Sequence, residues 1–221
     1  MVDFFPITKL TNRFMDEKKR LSMIRSYTLA DLLTLANASC GTLSIFLCLA
    51  YIDDAKTAEL WLAFVLPWIA LVFDALDGYV ARLNKHRQSL LGADLDSLAD
   101  IVSFGVAPAV LGFTLGLRGF WDVVCLTYFV CCGISRLARF NVTSAALTNQ
   151  STGKVKYFEG TPIPTSVLLI LFMAIIYRLG LTGQNFLWGH WILIERVFHP
   201  FALLFAVSGS LMISTIKVPK L

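Results

Sequence analysis

Two acidic segments decide how this chain is organised, DALDGYVAR at residues 74–82 and GADLDSLAD at residues 92–100. In a helix, residues i, i+3, i+4, i+7 and i+8 share one face. Asp74 and Asp77 therefore lie on one stripe of the first segment, and Asp96 and Asp100 lie on one stripe of the second. If the two helices are adjacent, their carboxylates face one another. Asp94 falls off the second stripe, and we interpret it as a solvated residue near the helix start.

Apolar residues dominate the composition. They make up 57% of the 221 residues, and the mean hydropathy is +0.69. Both values predict an integral membrane protein. A carboxylate within a membrane costs about 2.5–3.5 kcal/mol on insertion scales, so such a residue usually serves a function. The formal net charge of +4 is modest, and nucleic acid is therefore not an expected partner.

Apolar runs of membrane-spanning length predict an all-α fold with about six transmembrane helices. The expected spans are Leu29–Ile52, Ala58–Arg82, Gly92–Leu115, Phe120–Phe140, Thr161–Leu179 and Ile192–Ile216. We expect Pro67 to kink the second span and Pro108 to bend the third. A basic segment at residues 1–27 is expected to be a cytoplasmic interfacial helix or a disordered tail. The predicted domains are then this segment, a membrane domain at residues 28–217 and a cytoplasmic tail at residues 218–221.

The acidic segments carry the residue types of a metal-dependent phosphoryl-transfer site. Clustered carboxylates cannot all stay ionised without cations, and ligands that are all oxygen atoms suit Mg²⁺ or Mn²⁺. Gly78, Ala81 and Gly92 leave space for a bulky ligand, and Arg82 is a suitable partner for phosphate. The alternative is that the aspartates cap helices and the arginine lies at the membrane surface. Capping requires one aspartate per helix, whereas each face carries two.

Eight positions in these segments resemble the signature of the CDP-alcohol phosphotransferases, D-x2-D-G-x2-A-R-x8-G-x3-D-x3-D. The matching residues are Asp74, Asp77, Gly78, Ala81, Arg82, Gly92, Asp96 and Asp100. The chain departs from the signature in one respect, because nine residues instead of eight separate Arg82 from Gly92. The resemblance implies a six-helix membrane enzyme that forms a homodimer and binds two divalent cations, Mg²⁺ or Mn²⁺, in each active site.

Three further segments are similar to members of this family that use serine. They are LDSLADIVSFGVAP at residues 95–108, RLARFNV at residues 136–142 and YFEGTPIP at residues 157–164. Thr161 departs from the third pattern, in which leucine or a similar residue usually precedes the proline. The resemblance implies that the phosphatidyl group of CDP-diacylglycerol is transferred to the hydroxyl of L-serine with release of CMP.

The resemblance also assigns roles position by position. Asp74, Asp77, Asp96 and Asp100 would hold the metal ions, and Asp100 would in addition be the catalytic base on the serine hydroxyl. The expected CDP-binding residues are Thr34, Asn37, Asp77, Gly78, Ala81, Arg82 and Gly92. For the two polar residues of the first span, Thr34 and Asn37, hydrogen bonds between helices are an equally strong interpretation.

Recognition of serine requires a partner for its carboxylate. Arginine binds carboxylates through two parallel hydrogen bonds, which lysine cannot reproduce. Arg136 and Arg139 share a helix face at the end of the fourth span, and we expect them to bind serine. Arg139 is favoured because Phe140 and Asn141 can close the pocket beside it. Alternatively, both arginines only anchor the helix end at the membrane surface.

The distribution of cations predicts the orientation in the membrane. Fifteen of the 19 lysines and arginines fall on the side that holds the N-terminus, the C-terminus and the connections at residues 82–91 and 136–160. The positive-inside rule makes that side cytoplasmic, so the acidic segments are expected to open to the cytoplasm. The membrane would be the endoplasmic reticulum in a eukaryote and the inner or plasma membrane in a prokaryote.

Three other functions are open on the sequence alone. A related enzyme of the same family would use another alcohol, such as glycerol 3-phosphate, inositol or choline. A cation transporter would use the aspartates to bind ions, but that function does not explain Gly78, Gly92 or the Ala81-Arg82 pair. A structural membrane protein explains fewer of these features.

Overall fold

The structure, a computed structural model, describes residues 27–83, 92–148, 157–183, 186, 188–193, 196–214 and 217–219. These residues are mostly helical, which confirms the predicted fold class. The predicted interfacial segment lies outside the described residues, apart from its last residue. The connection at residues 84–91, which contains the additional residue of the signature, also lies outside them.

Six α-helices form the framework of the described part. They are α1 (Leu29–Asp54), α2 (Thr57–Leu83), α3 (Gly92–Leu115), α4 (Phe120–Thr148), α5 (Val167–Arg178) and α6 (Ala202–Ile213). The first three and the Phe120–Val142 part of α4 are long and apolar enough to cross a membrane. α6 and α5, which follows a turn of 3-10 helix at Ile163–Ser166, are shorter apolar helices. Four candidate spans are therefore present, and the total of six stays a prediction.

A capping box starts α1 by satisfying its first backbone N–H groups. The Asp31 N–H donates to the Thr28 hydroxyl, and the Thr28 N–H donates to the Asp31 carboxylate at 2.7 Å. α1 ends at Ala55, whose left-handed backbone has a φ of 54°. Only Ala55 and Lys56 separate the two helices, so α2 returns antiparallel to α1 and packs along it.

The buried face of α1 is polar, unlike that of a helix in a soluble protein. Its members recur at helical spacing and are Asp31, Thr34, Asn37, Gly41, Ser44 and Cys48. The apolar residues of α1 are instead largely exposed, as expected where a helix faces lipid on its outer side. The polar stripe is therefore available to bond with α2 and α3.

α3 changes helix type in its middle. Residues Ile101–Val106 form a π-helix between two α-helical parts, Gly92–Asp100 and Ala107–Leu115. Pro108 has no N–H and clashes with the carbonyl of an α-helical turn before it, which the wider π turn accommodates. The π segment ends two residues before Pro108, and the bend expected at Pro108 stays a prediction. α2 continues as one helix through Pro67, so the kink expected there stays a prediction.

Four short strands are present in the part of the chain that the structure describes, three between helices and one after α6. β1 (Tyr157–Glu159) pairs with β4 (Lys217–Pro219), and β2 (Trp191–Leu193) pairs with β3 (Arg196–Phe198), both antiparallel. The predicted start of the sixth span at Ile192 is therefore wrong, since that residue lies in a strand and α6 begins ten residues later. The His199 N–H is held by Asp122 and Pro200 has no N–H, so the chain turns before it becomes helical.

α3 is the central helix of the protein. In the 18-residue apolar stretch of α3, 67% is buried, against 28% in the corresponding stretch of each of the other three candidate spans. One side of α3 packs against α1, and the other packs against α4 and α5. The apolar core on that second side includes Phe129 and Phe205, whose rings meet edge to face with centroids 5.4 Å apart. The second acidic segment, at the start of α3, is therefore held between α1 and α4.

Candidate active site

Three carboxylates meet where the end of α2 faces the start of α3. One carboxylate oxygen from each of Asp74, Asp96 and Asp100 lies within 4.8 Å of the others. Asp100 is 7% exposed, and the other two side chains are half-buried. The structure thus brings together carboxylates from both of the stripes that helical spacing predicts.

Asp77 lies at the edge of this group. The side chain is 6% exposed, and its Oδ2 accepts the hydroxyl of Thr34 at 2.7 Å. Asp77 is close enough to interact electrostatically with Asp74 and Asp96. We refer to the four residues Asp74, Asp77, Asp96 and Asp100 as the acidic cluster.

The acidic cluster has the properties of a site for divalent cations. Its ligand atoms are all carboxylate oxygens, which suit Mg²⁺ or Mn²⁺. The Oδ1 of Asp96 is buried and has no hydrogen-bond partner among the described residues. An orphaned carboxylate oxygen is costly unless a cation or a ligand satisfies it. Mutual repulsion of the buried carboxylates also requires positive charge nearby.

A cavity of about 540 Å³ opens beside the acidic cluster. The start of α1, the end of α2 and the start of α3 form its walls. A β-carbon at Gly78 would meet no atom within 4 Å, so the missing side chain leaves space on the cavity side and relieves no internal contact. The cavity volume lies in the range of roughly 300–1,000 Å³ that is common for small-molecule sites.

Five of the seven predicted CDP-binding residues line this cavity, namely Thr34, Asp77, Gly78, Ala81 and Gly92. The other two are not among its lining residues. Arg82 lies at the exposed end of α2, where its Nε donates to the Gly78 carbonyl at 2.9 Å. Asn37 is fully buried on α1, and its Nδ2 donates to Oδ1 of Asp100 at 3.2 Å.

Asp31 is a cavity residue that reasoning from the sequence did not assign to the site, because the related family often has Pro-Asn where Ala30-Asp31 stands here. It is 3% exposed and lines the cavity together with Thr28, its partner in the capping box. The pattern Thr28-x-x-Asp31 predicts a capping box, and Asp31 lies one helical turn before Thr34. These two signals together place Asp31 on the buried stripe of α1.

Arg136 is a predicted serine-binding residue that lies close to the acidic cluster. It is half-buried on α4 and lies close enough to Asp100 for the two charges to attract. Its Nε is buried and has no hydrogen-bond partner among the described residues. Arg139 and Phe140 are exposed at the end of α4.

Asn141 connects α4 to the start of α3. Its Nδ2 donates to Asp94 at 3.3 Å, and its Oδ1 accepts the Ser97 hydroxyl at 3.2 Å. Both partners flank Asp96 in the sequence, so this link fixes α4 beside the acidic cluster. Asp94, expected to be a solvated residue near the helix start, is exposed and is the acceptor for this amide.

A bundle of apolar helices with an acidic cluster that could hold divalent cations, beside a cavity of this size, is typical of a membrane enzyme that acts on a phosphorylated substrate. Residues 27–207 match the family model described as CDP-alcohol phosphatidyltransferase. This match spans both acidic segments and all six helices up to the middle of α6. The chain therefore belongs to the CDP-alcohol phosphatidyltransferase family, whose members in general depend on divalent metals.

Several known proteins are similar to this chain over most of its length. CDP-diacylglycerol–serine O-phosphatidyltransferase of Saccharomyces cerevisiae is 45% identical over 211 residues, which cover 94% of this chain and 76% of that protein. The protein of the same name from Methanocaldococcus jannaschii is 32% identical over 199 residues, which cover 90% and 77%. Archaetidylserine synthase of Methanothermobacter thermautotrophicus is 40% identical over 161 residues, which cover 71% and 60%.

Proposed function

We propose that this protein transfers the phosphatidyl group of CDP-diacylglycerol to the hydroxyl of L-serine, giving phosphatidylserine and CMP. The observation that carries the proposal is the position of Arg136 beside Asp100, with a buried Nε that has no protein partner among the described residues. Serine has a carboxylate for such a group, whereas inositol and choline have none. The names of the relatives from Saccharomyces cerevisiae and Methanocaldococcus jannaschii, at 45% and 32% identity, support the same reaction.

The cavity beside the acidic cluster is the proposed site of the cytidine diphosphate part of the substrate. Thr34 and Asp77 form one wall, and Gly78, Ala81 and Gly92 give the ligand close access to the backbone. Arg82, at the end of α2, is proposed to bind phosphate as the ligand enters. The acyl chains can stay in the membrane while this headgroup lies in the cavity.

The acidic cluster is proposed to hold two divalent cations, Mg²⁺ or Mn²⁺, through all four of its carboxylates. When bound, these cations would neutralise the diphosphate and the charge that develops on departing CMP. The carboxylates orient the substrate indirectly, since their positions on two packed helices determine where the diphosphate can lie.

Asp100 is the proposed general base. It accepts the proton of the serine hydroxyl as the serine oxygen forms a bond to the phosphorus of the phosphatidyl group. The bond from that phosphorus to the CMP oxygen breaks, and CMP leaves with the electron pair. A base in hydrogen-bond reach contributes about 10²–10⁴-fold to such a step. The burial of Asp100 within the helix bundle limits competition from water.

Arg136, Arg139 and Phe140 are the proposed serine-binding residues. Arg136 is the principal partner of the serine carboxylate in this proposal, because it is half-buried beside the proposed base. Arg139 and Phe140 lie one turn further along α4 and are proposed to enclose the amino acid from the exposed side.

We further propose that the acidic cluster opens to the cytoplasm and that two copies of the chain form a homodimer. The excess of lysine and arginine on the side of the cluster supports the orientation. The resemblance to the family supports the homodimer and a membrane domain at residues 28–217. The endoplasmic reticulum of a eukaryote, or the inner or plasma membrane of a prokaryote, is the corresponding location.

One assay tests the reaction. Purified protein is given CDP-diacylglycerol, Mn²⁺ or Mg²⁺, and serine, glycerol 3-phosphate, inositol or choline in separate reactions, and CMP release and lipid products are measured. We expect serine to support the fastest release and phosphatidylserine to be the product. Asp100→Asn, which keeps the side-chain volume, is the control for background hydrolysis and is expected to lower kcat by at least about 100-fold. Faster release with another alcohol would refute serine as the substrate.

A further inference from the structure

One N–H group of the Asn37 side chain bonds to the proposed base, while its Oδ1 has no hydrogen-bond partner among the described residues. Its Nδ2 donates to Oδ1 of Asp100 at 3.2 Å, across the contact between α1 and α3. The residue is fully buried and is not among those lining the cavity beside the acidic cluster. A single donated hydrogen bond fixes one carboxylate oxygen and thereby the direction in which the other oxygen can point.

The backbone of Asn37 is in turn held by α3. The hydroxyl of Ser103 donates to the Asn37 carbonyl at 2.9 Å, and Ser103 is fully buried. Ser103 lies in the π-helical segment that begins directly after Asp100. Two hydrogen bonds in opposite directions therefore connect Asn37 to the same stretch of α3, one from its side chain and one to its backbone.

Gly41 brings the two helices into contact at this level. A β-carbon on Gly41 would lie 2.6 Å from the Cα of Ser103, so a larger residue would push α3 away from α1. Gly41 is about one helical turn from Asn37. The distance between Asn37 and Asp100 is thus set by backbone packing, which is stiffer than side-chain packing alone.

We propose that Asn37 is a positioning residue for Asp100 and that Ser103 holds Asn37 in place. This inference rests on the proposed function, because it takes Asp100 as the general base. It gives Asn37 a different role from the nucleotide contact expected from the sequence. Loss of a residue that orients a metal ligand or a catalytic group typically lowers activity by about 10–100-fold. Displacement of a reacting group by about 1 Å has a similar effect.

The experiment compares two serine-to-alanine variants, each of which removes one fully buried hydroxyl that donates a hydrogen bond between two helices. Ser103→Ala removes the hydroxyl that holds Asn37. Ser44→Ala removes another fully buried hydroxyl, which donates from α1 to the Ala63 carbonyl of α2 at 2.7 Å, away from the acidic cluster. We expect both variants to lower the Tm in detergent by similar amounts. We expect only Ser103→Ala to lower kcat, by about tenfold or more, with little change in KM for CDP-diacylglycerol.

Asn37→Leu removes the donor itself and retains a similar volume. We expect kcat to fall by about 100-fold. Calorimetric titration with CMP at saturating Mn²⁺ gives a readout that does not depend on turnover, and we expect the Kd for CMP to stay near the wild-type value. A large rise in Kd or KM with an unchanged kcat would instead identify Asn37 as a nucleotide contact and overturn the inference.

Equal kcat values for Ser103→Ala and Ser44→Ala would also overturn it, and this comparison stands even if Asn37→Leu does not fold. The measurements use whichever alcohol gives the fastest CMP release with the wild-type protein. A wild-type protein that prefers an alcohol other than serine would therefore refute the proposed substrate and leave the positioning role testable.

Discussion

Thr34 on α1 donates its hydroxyl to Oδ2 of Asp77 on α2 over 2.7 Å. Both residues are almost completely buried, so water does not compete for this bond. α1 thus donates one hydrogen bond to each acidic segment, from Thr34 to the end of α2 and from Asn37 to the start of α3. The polar stripe of α1 supports the acidic cluster although it contributes no carboxylate to the three-oxygen group.

Removal of the Thr34 hydroxyl is expected to weaken the metal site. In Thr34→Val the shape is kept, but Asp77 loses its side-chain donor from α1 and is held less firmly toward the cluster. We expect the Mn²⁺ concentration for half-maximal activity to rise by about tenfold, and Thr34→Ser to restore it. Thr42→Val is the matched control, because the Thr42 hydroxyl is exposed and bonds only to the Ala38 carbonyl of its own helix. Equal effects of the two valine variants would contradict the supporting role of Thr34.

Turnover is expected to require divalent metal and the carboxylates of the acidic cluster. EDTA should abolish CMP release, and Mg²⁺ or Mn²⁺ should restore it, because the buried carboxylates need cations to remain ionised together. Asp96→Asn should reduce Mn²⁺ binding, measured by electron paramagnetic resonance, as well as activity. Asp53→Asn is the control, since Asp53 is exposed at the end of α1 that lies away from the cavity. Full activity in chelator would exclude the metal site.

The placement of the acidic cluster could be predicted because it follows from helix periodicity. The spacing of Asp74 and Asp77, and of Asp96 and Asp100, is a local property of each helix. The contacts of Asn37 could not be predicted in the same way. They depend on how α3 is aligned against α1, which the close approach at Gly41 fixes. The presence of a polar residue in a membrane helix predicts that it has a hydrogen-bond partner, but the sequence does not identify that partner.

The start of the last apolar helix could not be predicted from hydropathy either. Trp191 and Ile192 are as apolar as residues of a span, yet they lie in β2. The deciding interactions are distant in sequence, because Asp122 at the start of α4 accepts the backbone N–H of His199. Hydropathy averages over a window and contains no information about such a bond.

The contact between Asp122 and His199 is expected to stabilise the protein without affecting the reaction directly. The fully buried carboxylate accepts the backbone N–H groups of Gly119 and His199, at 2.9 and 2.8 Å, and lies 2.6 Å from Nδ1 of the His199 ring. Asp122→Asn places an amide opposite these donors and should lower the free energy of unfolding by about 2–4 kcal/mol. Thermal unfolding in detergent measures this loss. Asp53→Asn, the same change at an exposed position, should leave the Tm nearly unchanged, and equal Tm values for both variants would contradict the prediction.

The two arginines at the end of α4 are expected to differ in their effect on serine. Arg136 is half-buried and interacts with Asp100, whereas Arg139 is exposed one turn later. A serine carboxylate bound beside the base would bring the serine hydroxyl near Asp100. We therefore expect serine binding to be more sensitive to substitution of Arg136 than of Arg139. Arg139, which the sequence favours, lies instead on the exposed part of α4.

Arg136→Lys keeps the positive charge but loses the paired hydrogen bonds that hold a carboxylate. We expect it to raise KM for serine by more than about tenfold, with little change in KM for CDP-diacylglycerol. Arg139→Lys should raise KM for serine by a smaller factor, and it serves as the matched control on the same helix face. Competition by ethanolamine, which lacks the carboxylate, gives an independent measure, because selectivity against it should fall in Arg136→Lys. Wild-type values of serine KM and of this selectivity in both variants would mean that the carboxylate binds elsewhere and that the arginines only anchor α4.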